Sequence, residues 1–412
     1  MTTATFIKKP KRLRRLREGP LGIHMDLFSA RLLREGHSQQ SAWRNIKVVG
    51  DFSRWLARKG IAAKGIDEDT VDLYMRFRVR YRHSYMWDRP ALNRLLAVLR
   101  DAEVIAPKRR VYPSPREQIV EDFRHYLSQC GGYGARTIIS HLPTLRRFLL
   151  ECCPEGTSSF PKIVAADISG FVVRHAPDQS TRSTQRACWT LRAFLRYLRY
   201  KGLTSTDLSA AVPSVRTWRF SSLPQYLSPA QVQKVLNAVD RTAPLGRRDY
   251  AILLLLARLG LRASEVATLC LEDIDWHSGQ LTIRGKGRQR ARMPLPTDVG
   301  AAIASYLRCS RPQSESRRVF LREWAPHIGF SSGTNVTAIA CSALTRAGVE
   351  APRKGAHVFR HSLATQLLRA GASLTEIGQL LRHRSHDSTR IYAKVDVGAL
   401  RALAMRWPGG AP

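Results

Sequence analysis

From Ala251 to Ala257 the chain is apolar without a break. A helix at a protein surface keeps its apolar side chains on one stripe, so a run that is apolar on every side belongs to a helix buried all round. It is also far short of the roughly 20 residues that cross a membrane. The fold must therefore supply a core that surrounds this segment. Elsewhere the pattern is that of helices with one buried face. Leu191, Phe194, Leu195 and Leu198 recur at i, i+3, i+4 and i+7, and Leu145, Phe148 and Leu149 repeat the theme. Helical patterns begin near Arg116, Ala135, Ala165 and Thr181. Leu281 to Leu295 departs from them and reads as strand, Gly-rich turn, strand. The expected fold is mainly α with a small antiparallel β-sheet.

A length of 412 residues allows two to four domains. Proline and charge interrupt the periodic segments at Pro107 to Pro115 and again at Pro213 to Pro224. Residues 1–23 are expected to be a basic flexible arm, 24–106 an N-terminal helical module, 113–206 a helical domain, 207–225 a linker, 226–396 a further mainly helical domain and 397–412 a tail. The 226–396 domain opens near Leu227, where Ser228 is placed as an N-cap and Pro229 as the first helical residue. In the N-terminal module, Val48, Phe52, Trp55 and Leu56 lead into Arg58-Lys59-Gly60, much as Leu191, Phe194, Tyr197 and Leu198 lead into Tyr200-Lys201-Gly202. Either the module is a degenerate repeat of the following domain, or two amphipathic helices share a common glycine stop.

The 67 Lys and Arg residues against 32 Asp and Glu give a formal charge of +35, the electrostatic footprint of a phosphate-backbone binder. The basic run Lys8 to Arg17 lacks the apolar core of a secretory signal and is read as an arm that grips phosphates. Arg76, Arg78, Arg80, Arg82 and His83 are further candidates for phosphate contact. The seven cysteines form no C-x-x-C pair, which favours reduced thiols in a cytoplasm over disulfides or a zinc site.

Six residues in the second half can handle a phosphodiester: Arg262, Lys286, His357, Arg360, His383 and Tyr392. A tyrosine hydroxyl has a pKa of about 10 and needs a base and a charged phosphate pocket before it attacks. Arginine offers a planar fork of donors for non-bridging oxygens. His357 and Arg360 share a helix face at i and i+3, and His383 precedes Tyr392 by nine residues. Lys286 sits at the hairpin tip, where a mobile turn can bring a proton donor to a leaving oxygen. Glu265, three residues after Arg262, is expected to brace it, whereas His361 is read as a buttress of its own helix. Taken singly, each residue has a plainer reading as surface charge, turn or packed ring. Their joint order does not.

In order and spacing these residues resemble the tyrosine recombinases, the lambda-integrase or Xer/Cre-like family. Leu259-Gly260-Leu261-Arg262-Ala263-Ser264-Glu265 is similar to its first-arginine box, Gly285-Lys286-Gly287 to its lysine hairpin, and His357 to Arg360 to its His-x-x-Arg box. His383 and Tyr392 match its last histidine and nucleophile. Two positions depart from the pattern, Arg382 where glycine is common and Phe359 where leucine is; Arg382 is expected either to crowd the site or to add a phosphate contact.

The resemblance implies a helical core-binding (SAM-like) domain at 113–206 and a tyrosine-recombinase catalytic domain at 226–396. It further implies attack by Tyr392 to give a 3′-phosphotyrosyl link, with Arg262, Arg360 and His383 on the phosphoryl oxygens. Lys286 would protonate the leaving oxygen and His357 would accept the phenol proton. It implies no cofactor and no metal, double-stranded DNA as partner, a tetramer on two DNA sites joined by a Holliday junction, sibling recombinases as further partners, no membrane, and a cytoplasmic, nucleoid-associated location. The extra N-terminal module points to a mobile element. Two other readings stay open: a type IB topoisomerase-like enzyme and a catalytically silent architectural DNA-binding protein.

Overall fold

The computed structural model describes residues 3–7, 9–81, 85–107, 114–153, 160–216, 225–285, 290–351, 354–383 and 387–393. The chain divides into two compact units, Met1–Lys108 with Ser222–Pro412, and Arg109–Ser221.

The N-terminal module contains α1 (Thr3–Phe6), α2 (Pro10–Arg17), α3 (Met25–Arg34), α4 (Gln39–Lys59), α5 (Glu68–Tyr81) and α6 (Asp88–Asp101). Ser38 caps α4 by accepting from the Ser41 amide, and Gly60 ends it. Phe28, Leu32, Ile46, Phe52, Leu56, Leu92 and Leu95 form the core. The segment expected as a flexible arm is folded onto this core. Phe6, Ile7, Leu16 and Leu21 are buried there, and Thr3 donates to Asp26 through its hydroxyl (2.7 Å) and its amide (2.9 Å). The basic run thus carries apolar residues at helical spacing, and their burial fixes it while most of its cations stay exposed. Arg78 is not a phosphate contact either. It is buried and bound to Asp88 (2.8 Å), Asp51 (3.3 Å) and the Tyr74 hydroxyl (3.0 Å). Arg82 and His83 lie outside the described residues. Lys59-Gly60 closes α4, the fourth α-helix among the described residues and the longer partner of α6 in this core.

The second unit is a bundle of α7 (Pro115–Gln129), α8 (Ala135–Cys152), α9 (Ala165–His175) and α10 (Thr181–Tyr200). The predicted stripe of Leu191, Phe194, Leu195 and Leu198 is buried against Phe123, Leu145 and Phe148. Lys201-Gly202 follows the last helix of this set, so the two Lys-Gly endings occupy different places in their modules. The expected linker begins later than residue 207. Val212 is buried, Arg192 Nη2 donates to the carbonyls of Val212 (2.9 Å) and Pro213 (2.8 Å), and Gln185 Nε2 donates to that of Val215 (3.0 Å). These bonds hold the backbone to α10 where composition alone suggested a tether. Residues 217–224 lie outside the described residues.

The C-terminal part contains α11 (Pro229–Asn237), α12 (Pro244–Arg258), α13 (Ala263–Thr268), β1 (Ile274–Asp275), β2 (Gln280–Arg284), β3 (Arg290–Pro294), α14 (Thr297–Cys309), α15 (Gly333–Arg346), α16 (Ala356–Arg369), α17 (Leu374–Leu380) and α18 (Asp387–Ala393). The apolar run lies in α12, where Ala251 to Leu256 are essentially inaccessible, enclosed by α14, α16 and neighbouring helices. The antiparallel sheet has the order β1-β2-β3, with Leu281 opposite Met293 and Arg284 opposite Arg290. Ser228 and Gln231 form the capping box of α11, and the Leu227 amide donates to Ser362 Oγ on α16 (2.7 Å), pinning the start of the domain to the helix that carries His357 and Arg360. The His327 amide donates to the Glu35 carbonyl (3.2 Å), which ties the N-terminal module to this part of the chain. Among the described residues no helix is long and apolar enough to cross a membrane. The tail, 397–412, lies outside them.

Candidate active site

Arg262 is the N-cap of α13. Glu265 folds back on it, accepting from the Arg262 amide (2.8 Å) and from its Nη1 (2.7 Å), so the carboxylate serves the helix start and the guanidinium together. The brace predicted from the spacing is present.

Arg360, one turn into α16, is 4% exposed. Its Nη1 donates to the Gly260 carbonyl and its Nη2 to the Leu381 carbonyl. One side chain therefore ties the turn before Arg262 to the turn before His383. Gly260 is required there: its φ is +56°, and a Cβ would come within 2.8 Å of Leu381 Cδ2 and 3.0 Å of Leu363 Cδ2.

Arg382 also has a positive φ, 55°, a conformation that glycine adopts at no steric cost. Its side chain neither crowds the site nor stays free for a phosphate. It turns back, Nη2 donating to Glu265 Oε2 (3.0 Å) and Nη1 to the Leu380 carbonyl (3.1 Å), while its own carbonyl accepts from Arg262 Nη2 (3.2 Å). Its Nη1 also lies 3.3 Å from Met293 Sδ on β3, so the root of the hairpin borders the site. Lys286, expected at the hairpin tip, lies outside the described residues.

His383 Nδ1 shares a hydrogen bond with Thr389 Oγ1 (2.7 Å), leaving Nε2 as its outer nitrogen. The Tyr392 ring is 1% exposed and packs with Ala364, Ile377 and Leu381. Its hydroxyl shares a hydrogen bond of 2.9 Å with His361 Nδ1. His357 lies one turn earlier on α16, its ring 6.4 Å from that of His361. Arg262, Arg360, His383 and Tyr392 are thus brought together, and His357 joins them by way of His361. The residue that sequence reasoning set aside is His361. Its i+4 spacing from His357 placed it on the same helix face and was as strong a signal as that of Arg360.

The electrostatics follow from crowding cations in a dry pocket. Burial pushes the Tyr392 phenol up to about 12, although Arg360 and Arg262 act to lower it. Burial, followed by Arg360 and Arg262, brings His383 down to about 4; burial, His357 and Arg360 do the same for His361. Burial and Arg262 lower Arg360 to about 10. For Glu265, burial alone would raise the carboxyl, but the Arg262 amide and the Arg382 and Arg262 guanidiniums outweigh it and hold it ionised below its ordinary value. Glu265 pairs with Arg262 and Arg382 while Arg360 bonds to backbone carbonyls, so three guanidiniums exceed one carboxylate by two positive charges, which balances the two negative charges of a phosphodiester under attack by an oxyanion. Among the described residues no cluster of His, Cys, Asp and Glu is placed to hold a metal ion.

Residues 225–398 match the phage integrase family. The chain is 42% identical over 408 residues to a protein of Sinorhizobium fredii (strain NBRC 101917 / NGR234), y4rA, that is an integrase/recombinase by name only, spanning 98% of this chain and 99% of that one. It is 30% identical to the tyrosine recombinase XerD of Listeria monocytogenes serotype 4b (strain F2365), over 67% of this chain and 94% of XerD. Among solved structures it shares its fold with the XerH site-specific recombinase bound to palindromic difH substrate in a post-cleavage complex, at a TM-score of 0.56 and 18% identity, covering 71% of this chain and 84% of that chain. A lambda integrase dimer bound to a COC′ core site is similar at a TM-score of 0.52 and 15% identity, covering 72% of this chain and 98% of that chain.

Proposed function

The chain belongs to the phage integrase family of tyrosine recombinases, enzymes that cleave and rejoin DNA strands, and from that premise we propose that it is a site-specific recombinase of a mobile element. The observation that carries this reading is the Tyr392 hydroxyl lying in one cluster with Arg262, Arg360 and His383.

In this reading Tyr392 attacks the scissile phosphate of double-stranded DNA and forms a 3′-phosphotyrosyl link. Arg262 and Arg360 hold the non-bridging oxygens, and their fixed positions stabilise charge as it builds. His383 contributes Nε2 to the same oxygens, its ring held from behind by Thr389. His357, on the rim, completes the phosphate pocket. Lys286, on the hairpin rooted beside Arg382, protonates the departing 5′-oxygen. Burial first, and then the neighbouring cations, hold the histidines neutral; the phosphate's negative charge opposes the cations, so binding raises the histidines' basicity as they are needed.

Exchange then follows from reversal: a 5′-hydroxyl of a partner strand attacks the phosphotyrosine. Two duplexes, a tetramer and a Holliday junction are the assembly this requires, with sibling recombinases as optional members, in the cytoplasm at the nucleoid. The N-terminal module, fixed to the catalytic part through Glu35 and His327, moves with it and presents the exposed cations of α2 to flanking DNA or to a second protomer.

The test is recombination between two labelled duplexes that carry the ends of the protein's own element, in EDTA and without ATP. Joint molecules of recombinant length are expected. Relaxation of supercoiled DNA with no recombinant would assign the topoisomerase-like reading instead, and tight binding with neither product would assign the architectural one.

A further inference from the structure

We infer that His361 is the general base that takes the proton from Tyr392, an assignment that rests on Tyr392 being the nucleophile. The family resemblance gave this role to His357, but the geometry selects its neighbour one turn on. His361 Nδ1 lies 2.9 Å from the Tyr392 hydroxyl, within the range of direct proton transfer. His357 is exposed and its ring lies 6.4 Å from that of His361, and among the described residues the hydrogen bond to the phenol is shared with His361. His383 is committed elsewhere: its Nδ1 is bound to Thr389, and its ring runs nearly parallel to that of Tyr392 at 6.4 Å and 7°.

The step balances within these groups. The Tyr392 O–H bond breaks, the proton passes to His361 Nδ1, and the oxygen's electron pair forms the bond to phosphorus. The bond from phosphorus to the 5′-oxygen breaks, and that oxygen takes its proton from the general acid. On rejoining, the 5′-hydroxyl gives its proton back to the general acid as its oxygen bonds to phosphorus, and the His361 imidazolium returns its proton to the phenolate as Tyr392 leaves. His361 follows Arg360 directly on α16, so one rigid helix carries both the phosphate clamp and the base.

The charged and titratable groups facing His361 are His357 and Arg360 on its own helix, with Tyr392 on α18, His383 in the preceding turn, and Arg262 and Arg382 beyond them. Burial, followed by His357 and Arg360, keeps its imidazole unprotonated in the free protein, and in the tautomer that carries its hydrogen on Nε2 the Nδ1 lone pair accepts the phenol's proton.

The experiment is single-turnover cleavage of a nicked suicide duplex by the full-length protein, with the adduct mapped by peptide sequencing in the unaltered chain first. In His361→Asn the amide oxygen can hold the phenol's hydrogen bond but cannot take its proton. Cleavage is expected to slow by about 10²- to 10⁴-fold at unchanged DNA affinity, with a rate that climbs about tenfold per pH unit between roughly pH 7 and 9. His361→Ala should be rescued by added imidazoles in proportion to their basicity, a response that a structural role would not give. His357→Ala, whatever its rate, should not be rescued in this way.

An adduct on Tyr392 together with near-normal, pH-flat cleavage by His361→Asn overturns the assignment while leaving the nucleophile intact. Imidazole rescue of His357→Ala, without rescue of His361→Ala, transfers the role to His357. An adduct on a residue other than Tyr392 overturns both readings. Should His361→Asn fail to fold, the imidazole series on His361→Ala decides.

Discussion

Arg360→Ala is expected to slow DNA cleavage by at least about 10²- to 10³-fold, the effect of removing a fixed donor from a developing oxyanion. It should also lower stability, because Arg360 holds the fold of the site as well as its charge. Its two Nη groups satisfy the buried carbonyls of Gly260 and Leu381, and leaving buried acceptors unmet costs about 1–3 kcal/mol each. Arg360→Lys keeps a charge but cannot span both carbonyls and a phosphate, so it should recover little of either property. Stopped cleavage rates beside urea unfolding midpoints separate the two effects. Near-normal cleavage by the alanine variant would remove Arg360 from the site.

Tyr392→Phe should abolish the covalent adduct outright while the protein remains folded and binds DNA with nearly unchanged affinity. The ring packs with Ala364, Ile377 and Leu381, contacts that phenylalanine retains, and the only described bond to be lost is the one to His361. Loss of that bond costs about 1 kcal/mol of stability. Gel-shift affinity and denaturing-gel adduct yield, measured on the same preparation, check both halves. Loss of binding would mean that the tyrosine is structural.

The helices were legible because burial obeys periodicity: the stripe on α10, the apolar α12 and the Ser228 cap all appear where spacing put them. Local chemistry likewise announced the bond between Arg262 and Glu265, three residues apart. What sequence could not announce were contacts made across the fold. Nothing in the spacing says that Arg360 meets Gly260 and Leu381, that Arg382 turns back to Glu265, or that His361 reaches Tyr392. The basic run at the start misled for a related reason. Its charge was conspicuous, while the burial of Phe6, Ile7 and Leu16 that anchors it depends on a core assembled from α3 and α4. Likewise the stretch to Arg216 reads as a tether until the side chains of Gln185 and Arg192 hold its carbonyls.

The most direct measurement is covalent trapping on a suicide duplex bearing the element's own ends, in EDTA, followed by nuclease digestion and mass mapping of the linked peptide. A DNA adduct joined through its 3′-phosphate to Tyr392 is the predicted result. An adduct on another residue, or a 5′-linked adduct, would contradict the account.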